Sequence, residues 1–246
     1  MSKGIYAALS GAVAQGTTLD LVAQNLAHAS TTGYRSSRPV FREVLARAAA
    51  PRAAARPLGD VRAVVVQSSV LDASPGAVRA TGNGLDVALP AASFLAVDTP
   101  RGERYTRAGA ISMAADGTLT VASQPLVAEG GGPIRIPADA QATIDEEGRV
   151  LANGSEVGRL RIVRFDAAER LTAEGGTLLA SNDGSGPATT STDKLLPGHL
   201  EDSNASPVGA MTELVQATRY FEAFERAISA FHDADRKAAS QVMAAR

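Results

Sequence analysis

Each end of this 246-residue chain carries an apolar stripe at helical spacing, and these two stripes restrict the fold more than any other feature. Near the N terminus, apolar or small residues recur at alternating intervals of four and three, as in the seam of a coiled coil. They are Ile5, Leu9, Ala12, Gly16, Leu19, Ala23 and Leu26. The same spacing near the C terminus is found in Met211, Leu214, Thr218, Phe221, Phe224, Ile228 and Phe231. The pattern predicts two long helices that pair when the termini come together.

Capping and turn residues define the inner ends of both helices. Thr31, Thr32 and Gly33 predict that the first helix ends near Ala29, with Gly33 in the left-handed conformation. At the other end, Ser206-Pro207 supplies an N-cap followed by the residue favoured at the first helical position. We therefore expect an N-terminal helical segment at 1–32 and a C-terminal helical segment at 201–246. Residues 1–32 and 203–246 would form one assembly core.

Two regions of different character lie between the helices. Residues 33–61 mix Arg, Ala and Pro, which predicts a linker; the basic segment 35–62 is either simply solvated or docks onto an acidic partner. Residues 62–200 alternate short runs of Val, Ile, Leu and Thr with turn signals, of which Asp116-Gly117 is the clearest hairpin. The predicted fold class is α+β. Long terminal helices would form a coiled-coil-like pair, and the central domain would be all-β, as a sandwich or irregular barrel.

Composition excludes most reactive chemistry. The chain has no Cys, which removes disulfides, thiol nucleophiles and Cys-ligated metals, and its three His residues are scattered. Phosphate-binding, dinucleotide-binding and hydrolase motifs are absent from the sequence. A net charge of -2, without a basic and aromatic platform in the β region, argues against nucleic acid binding. We expect neither an enzyme nor a bound cofactor or metal.

The N terminus imitates a signal peptide but is better explained as part of the first helix. A small and apolar run leads to Ala12-Val13-Ala14, which looks like a cleavage site. The helical periodicity continues through that point, which favours an N terminus that is not cleaved. No run reaches the roughly 18 apolar residues that span a bilayer, so membrane insertion is not expected.

Each terminal stripe is weak by itself. Ordering the backbone costs about 1–2 kcal/mol per residue, while burying a large aliphatic side chain returns about 1.5–3 kcal/mol. The first stripe has only four large members, so the balance is close to neutral. Additional apolar residues outside the stripes could contact neighbouring copies of the chain: Tyr6, Val13, Leu21, Val22, Val208, Val215 and Tyr220. The sequence therefore predicts termini that fold on assembly.

Three separated motifs carry a resemblance to a known family. The first motif is Ala8-Leu9-Ser10-Gly11-Ala12 with Asn25-Leu26-Ala27 and Thr31-Thr32-Gly33-Tyr34-Arg35. The second motif is Thr81-Gly82-Asn83-Gly84-Leu85-Asp86-Val87-Ala88 with Tyr105-Thr106-Arg107-Ala108-Gly109. The third motif is Leu200-Glu201-Asp202-Ser203-Asn204. In this order they resemble the axial proteins of the bacterial flagellum, which comprise rod and hook. Family-motif residues of the opening segment are Ser10, Gly11, Asn25, Thr32, Gly33 and Tyr34.

The resemblance implies a structural subunit of the flagellar basal-body rod. Such a subunit is exported without cleavage by the flagellar type III apparatus and lies in the periplasmic rod. Its partners would be other rod proteins and copies of itself, stacked head to tail into a hollow shaft that transmits torque. The terminal helices would line the inner wall of that shaft, with the β domain outside. Length and the divergent tail resemble the proximal-rod member more than the distal one, and a distal-rod or hook-type subunit is the alternative.

The expected assembly interface consists of the apolar stripe residues Ile5, Leu9, Ala12, Leu19, Leu26, Met211, Leu214, Phe221, Phe224, Ile228 and Phe231. Two other classes of protein stay open. A secreted β-domain binding protein, with the helices as a stalk, would be a stable monomer processed after Ala14. An enzyme with an unrecognised carboxylate site would have an acidic cleft in the β domain.

Overall fold

A computed structural model describes residues 3–46, 61–90, 92–182, 184–186 and 188–244. The chain divides into two compact units. The first unit holds the described residues of Met1–Gln24, Arg38–Ser69 and Val208–Arg246, and the second holds Asn25–Ser37 and Val70–Pro207. The predicted boundaries at 32 and 62 therefore divide the chain differently, because residues 25–37 pack and hydrogen-bond within the second unit.

Two long helices begin and end close to the predicted positions. Helix α1 runs over Lys3–Ala27 and helix α2 over Pro207–Ala244. Pro207 is the first residue of α2, as predicted from the Ser206-Pro207 pair, and the 38 residues of α2 span about 57 Å at 1.5 Å per residue. The predicted C-terminal segment began at 201, but residues 202–206 are non-helical. Among the described residues, neither helix is long and apolar enough to cross a bilayer.

One strand of a two-stranded sheet lies in the predicted linker. This strand is β1, Ser37–Ala46; its partner β2, Val61–Leu71, lies at the start of the region predicted to be β-rich. The linker prediction is wrong for 37–46, because Val40 and Phe41 supply strand-forming side chains between the arginines. Both strands of such a sheet are edges, where a proline and exposed charges are tolerated. Residues 47–60 of the predicted linker lie outside the described part of the chain.

The central region is β-rich, as predicted. A single turn of 3-10 helix spans Ala168–Arg170. The strands of this region are β3 Val78–Ala80, β4 Val87–Ala88, β5 Ser93–Thr99, β6 Gly102–Thr106, β7 Ile111–Met113, β8 Leu119–Val121, β9 Gln124–Pro125, β10 Ala142–Ile144, β11 Arg149–Ala152, β12 Ser155–Arg159, β13 Ile162–Arg164, β14 Thr172–Ala173, β15 Leu179–Ala180, β16 Thr189–Thr190, β17 Leu196–Pro197 and β18 His199–Glu201.

The largest sheet has six strands in the order β14-β15-β6-β5-β13-β16, and its paired neighbours are antiparallel. Three-stranded sheets form from β10-β11-β12 and from β7-β8-β9, and two-stranded sheets from β17-β4 and β18-β3. Asp116-Gly117 lies in the turn between β7 and β8, as predicted. The pairing of β18 with β3 places Glu201 opposite Val78, immediately before the chain leaves for α2.

Strand β5 separates two apolar clusters of the β-rich region. Its residues Leu95 and Val97 belong to one cluster, while Phe94 and Ala96 belong to the other. Because successive side chains of a strand point to opposite faces, a strand buried on both faces must be apolar throughout. This requirement explains the run of buried residues at the start of β5, which positions Phe94 next to the cluster described below.

Candidate functional site

One residue from each of the three sequence motifs contributes to a buried cluster of charges in the second unit. The carboxylate of Glu201 lies between Arg35 and Arg107, and we call these three residues the Arg–Glu–Arg cluster. Arg35 Nη2 is 2.6 Å from Glu201 Oε1, and Arg107 Nη2 is 2.6 Å from Glu201 Oε2. All three side chains are at most 4% exposed. Charged side chains are rarely buried to this degree unless they are paired.

Backbone carbonyl groups complete the hydrogen bonding of the buried Arg107 guanidinium. Arg107 donates from Nη1 to the carbonyls of Ser93 and Pro90 and from Nη2 to that of Leu89. With its two bonds to Glu201, these contacts use five donors, the full number that a guanidinium has. Such complete satisfaction is what makes a buried ion pair tolerable in a folded protein.

Arg35 is less fully compensated. It donates to the carbonyl of Ser74 and to Glu201. Burial and the like charge of Arg107 lower the pKa of Arg35 to about 10, even though Glu201 and Asp72 favour its charged form. Burial is the larger cause of the lowered pKa of Arg35, and the like charge of Arg107, which shares the carboxylate, adds to it.

Asn204 and the amide of Gly33 link the chain around the cluster to the segment that follows α1. Asn204 accepts a hydrogen bond from the amide of Ser36 at 2.7 Å and donates from Nδ2 to the carbonyls of Asp72 and Ser74. The amide of Gly33 donates to the Glu201 carbonyl at 2.8 Å. The chain that follows α1 is therefore hydrogen-bonded to the chain that precedes α2, within one folded unit.

Asn25 and Tyr34 form a second buried contact in the same unit. Tyr34 Oη donates to Asn25 Oδ1 at 3.0 Å, and Asn25 Nδ2 donates to the Ser37 carbonyl at 2.9 Å. Burial raises the pKa of Tyr34 to about 12, so its hydroxyl stays protonated and can donate. The ring of Tyr34 also stacks on His28, with centroids 4.8 Å apart. Among the motif residues, Thr32 is half-buried and Gly33 has the predicted positive φ, 69°.

In the first unit, glycines of α1 receive phenylalanine rings of α2. A Cβ added at Gly4 would lie 2.6 Å from Cζ of Phe231, and one at Gly11 would lie 2.7 Å from Cζ of Phe224. Both distances are too short for a real methyl group, so these positions require glycine or a moved ring. Ser10, the neighbouring motif residue, donates its hydroxyl to the Ala7 carbonyl at 2.9 Å.

The predicted stripe residues have mixed burial in the single chain. Ile5 and Ala12 are buried, whereas Leu9 and Met211 are 51% and 55% exposed. Half-buried members are Leu19, Leu26, Leu214, Phe221, Phe224, Ile228 and Phe231. The buried face of α1 includes Ala8 and Gly11, which the predicted seam left out, and Leu9 lies beside that face rather than on it.

Arg35, Arg107, Glu201 and Asn204 were not predicted as site residues. The sequence signal that could have identified them is that they are charged or polar residues within the recognised motifs. Nothing in one sequence pairs residues that are 94 and 166 positions apart, as Arg107 and Arg35 are from Glu201. Within the described residues, no group of three or more His, Asp or Glu side chains is arranged to hold a metal ion.

Ala92 lies beside the cluster in a left-handed conformation with φ of 65°. A Cβ in that region costs about 1–2 kcal/mol, while glycine loses more freedom on folding. We expect Ala92→Gly to raise the free energy of unfolding by about 0.5–1 kcal/mol in urea denaturation. The matched change Ala80→Gly, on strand β3, should lower it by about 0.5–1 kcal/mol. Equal losses for both would show that the backbone at Ala92 is not strained.

Comparisons with known proteins agree with the sequence motifs. A model of the C-terminal region of flagellar basal-body rod FlgEFG proteins matches residues 196–241, and one of the flagellar hook protein FlgE/F/G D1 domain matches residues 88–152. The flagellar basal-body rod protein FlgF of Escherichia coli is 31% identical over 95% of both chains, and FlgF of Caulobacter vibrioides is 30% identical over 90% of both. FlgG of Bacillus subtilis is 30% identical over 93% of this chain and 95% of its own.

These matches define a structural rather than an enzymatic class of protein, located in the flagellar basal body. The chain belongs to the flagellar basal-body rod family, and within that family it is FlgF-like. The Arg–Glu–Arg cluster fits this class, because both oxygens of its carboxylate are paired with arginines and the cluster holds together the segments that carry Arg35, Arg107 and Glu201.

Proposed function

We propose that copies of this chain assemble helically through their terminal helices, with other rod proteins, into a hollow shaft that transmits torque. The observation that carries the proposal is two short series of exposed apolar side chains at helical spacing, one on each helix, here together called the outer stripe. Its members are between 47% and 75% exposed: Tyr6, Leu9, Val13, Val208, Met211 and Val215. Soluble monomers rarely keep large apolar patches exposed unless another surface covers them.

The pairing of α1 with α2 as a coiled-coil-like unit is part of the same proposal. Gly4 and Gly11 are seven residues apart on α1, and the rings that they receive, Phe231 and Phe224, are seven residues apart on α2 in the opposite direction. A seven-residue repeat running in opposite directions is the signature of an antiparallel pair with knobs in holes. Such a pair would leave the outer stripe available for neighbouring copies.

We further propose that the subunit reaches the periplasmic rod without cleavage, through the flagellar type III apparatus. Support comes from the position of Ala14, which lies inside α1 and is 5% exposed. Processing after Ala14 would remove both Gly4 and Gly11 and their contacts with α2. The stalk alternative, which needs that processing, is therefore disfavoured.

The outer stripe can be tested in a strain that lacks the chromosomal gene and carries a plasmid copy. We expect Leu9→Glu to abolish swimming in soft agar and to leave no rod beyond the membrane ring in electron micrographs of basal bodies. Its stability should change little, within about 0.5 kcal/mol, because Leu9 is exposed in the single chain. The physical reason is that a carboxylate buried between copies loses its hydration.

Ala7→Glu is the matched control, since Ala7 is exposed on the same helix but lies outside the outer stripe. That variant should swim normally. A Leu9→Glu strain that swims as well as the control would overturn the proposal that the outer stripe is an assembly surface. Circular dichroism of both purified variants separates a folding defect from an assembly defect.

A further inference from the structure

A small cavity of about 140 Å³ lies next to the Arg–Glu–Arg cluster, within the second unit. Arg35 and Arg107 contribute to its lining, and apolar side chains including Leu71 and Phe94 form other parts of it. The lining of the cavity therefore combines two arginines with apolar side chains. Elsewhere in the cluster, the guanidiniums contact backbone carbonyl groups instead of apolar side chains.

The two arginines in the lining of the cavity could bind an anionic ligand. The cluster holds two guanidiniums and one carboxylate, and Arg107 has already used its five donors. Arg35 donates to Ser74 and Glu201, which leaves donors of its fork for a further acceptor. Burial, and after it the like charge of Arg107, disfavours the charged form of Arg35 and lowers its pKa, so a further anion beside Arg35 would favour that form.

We propose that this cavity binds a carboxylate that has a short apolar stem. Arg35 would hydrogen-bond to the carboxylate, Arg107 would contribute charge, and Leu71 and Phe94 would contact the stem. The size fits, because a cavity of about 150 Å³ holds a ligand of about six heavy atoms such as benzene. Butyrate has that number. Arginine forks also match carboxylates in geometry.

Two sources carry this chemical group. One is a small free carboxylate, and the other is a Glu or Asp side chain of another subunit. Binding of a small free carboxylate does not depend on the proposed assembly, whereas a carboxylate from another subunit rests on that proposed function.

The first experiment titrates the full-length purified chain with butyrate and, as a neutral isostere, with butyramide. Saturation-transfer NMR of the ligand methyl group should give a Kd of about 1 mM for butyrate and at least tenfold weaker binding of butyramide. Butyrate at ten times its Kd should raise the melting temperature by about 4 °C. Equal binding of the two ligands, or no binding of either, would overturn the proposal.

A variant that carries its own carboxylate provides the second experiment. Ala73 is exposed and contributes to the lining of the cavity, so Ala73→Glu can reach into it without disturbing the core. We expect the variant to melt at a higher temperature than the parent chain and to bind butyrate at least tenfold more weakly. Ala80→Glu, at an exposed position of β3, should leave both values unchanged. Unchanged butyrate affinity in Ala73→Glu would contradict the proposed location of the site.

A motility assay distinguishes the two sources of the carboxylate. If a neighbouring subunit supplies the carboxylate, Ala73→Glu fills its place and should reduce swimming, while Ala80→Glu should not. Normal swimming of Ala73→Glu, together with butyrate binding by the parent chain, assigns the site to a small free carboxylate.

Discussion

Replacing Glu201 by Gln is expected to lower the free energy of unfolding of the second unit by about 3–5 kcal/mol. The substitution keeps the shape of the side chain but removes the carboxylate that lies 2.6 Å from both Arg35 and Arg107. Two guanidiniums would then be buried without the carboxylate that pairs with both of them. Urea denaturation followed by the amide NMR signals of residues in the second unit measures the loss, since the terminal helices contribute strongly to far-ultraviolet circular dichroism.

The next residue in the sequence provides the control. Asp202 pairs with Arg79 at 2.9 Å, but their side chains are 44% and 53% exposed. Exposed ion pairs contribute about 0–1 kcal/mol, so Asp202→Asn should change stability only slightly. Similar losses in the free energy of unfolding for Asp202→Asn and Glu201→Gln would show that burial does not determine how much the Arg–Glu–Arg cluster stabilises the unit.

The features that the sequence predicted well are those with a local cause. Ser206-Pro207 marks the start of α2 because a capping side chain and a fixed φ act on the first turn alone. Gly33 adopts positive φ because only glycine enters that region without strain. Asp116-Gly117 makes the hairpin between β7 and β8 for the same kind of reason. None of these predictions required knowledge of a distant residue.

The face of α1 that packs in the first unit could not be identified from spacing. Ile5, Leu9 and Ala12 recur at intervals of four and three, but so do Gly4, Ala8 and Gly11. Hydrophobicity favoured the first series because it contains Leu9. The second series packs because its small residues let the rings of α2 approach, which is a property of the partner helix. A heptad rich in small residues therefore fixes helix formation but not the buried face.

The charged cluster escaped prediction for a different reason. Arg35 stands in an Arg-rich segment, for which the sequence indicated either solvation or docking onto an acidic partner. Its burial depends on Glu201, which is 166 residues away, and on strand β18 placing that carboxylate beside Arg107. The pairing is a consequence of the tertiary fold. Knowledge of motif order brought these residues to notice, but it could not show that they touch.

Gly33→Ala is expected to destabilise the second unit by about 2–5 kcal/mol and to weaken the hydrogen bond from this amide to the Glu201 carbonyl. Gly33 has φ of 69°, where a Cβ costs about 1–2 kcal/mol by itself. The added Cβ would also overlap the amide nitrogen of Ala108 and the carbonyl of Arg107. These are backbone atoms next to Arg107, so relief of the overlap must shift one wall of the cluster, which costs about 1–3 kcal/mol more.

Gly82→Ala separates the two causes, because Gly82 has φ of 73° but no atom within 4 Å of an added Cβ. This variant carries the conformational strain without the overlap, and it should lose only about 1 kcal/mol in the same urea titration. The difference between the two variants measures how closely the segment after α1 packs on the backbone that follows β6. Equal losses of stability for Gly33→Ala and Gly82→Ala would contradict the close approach of Gly33 to the backbone of Arg107 and Ala108. The segment 25–37 would then be held in the second unit less tightly than the hydrogen bonds of Gly33, Ser36 and Arg35 indicate.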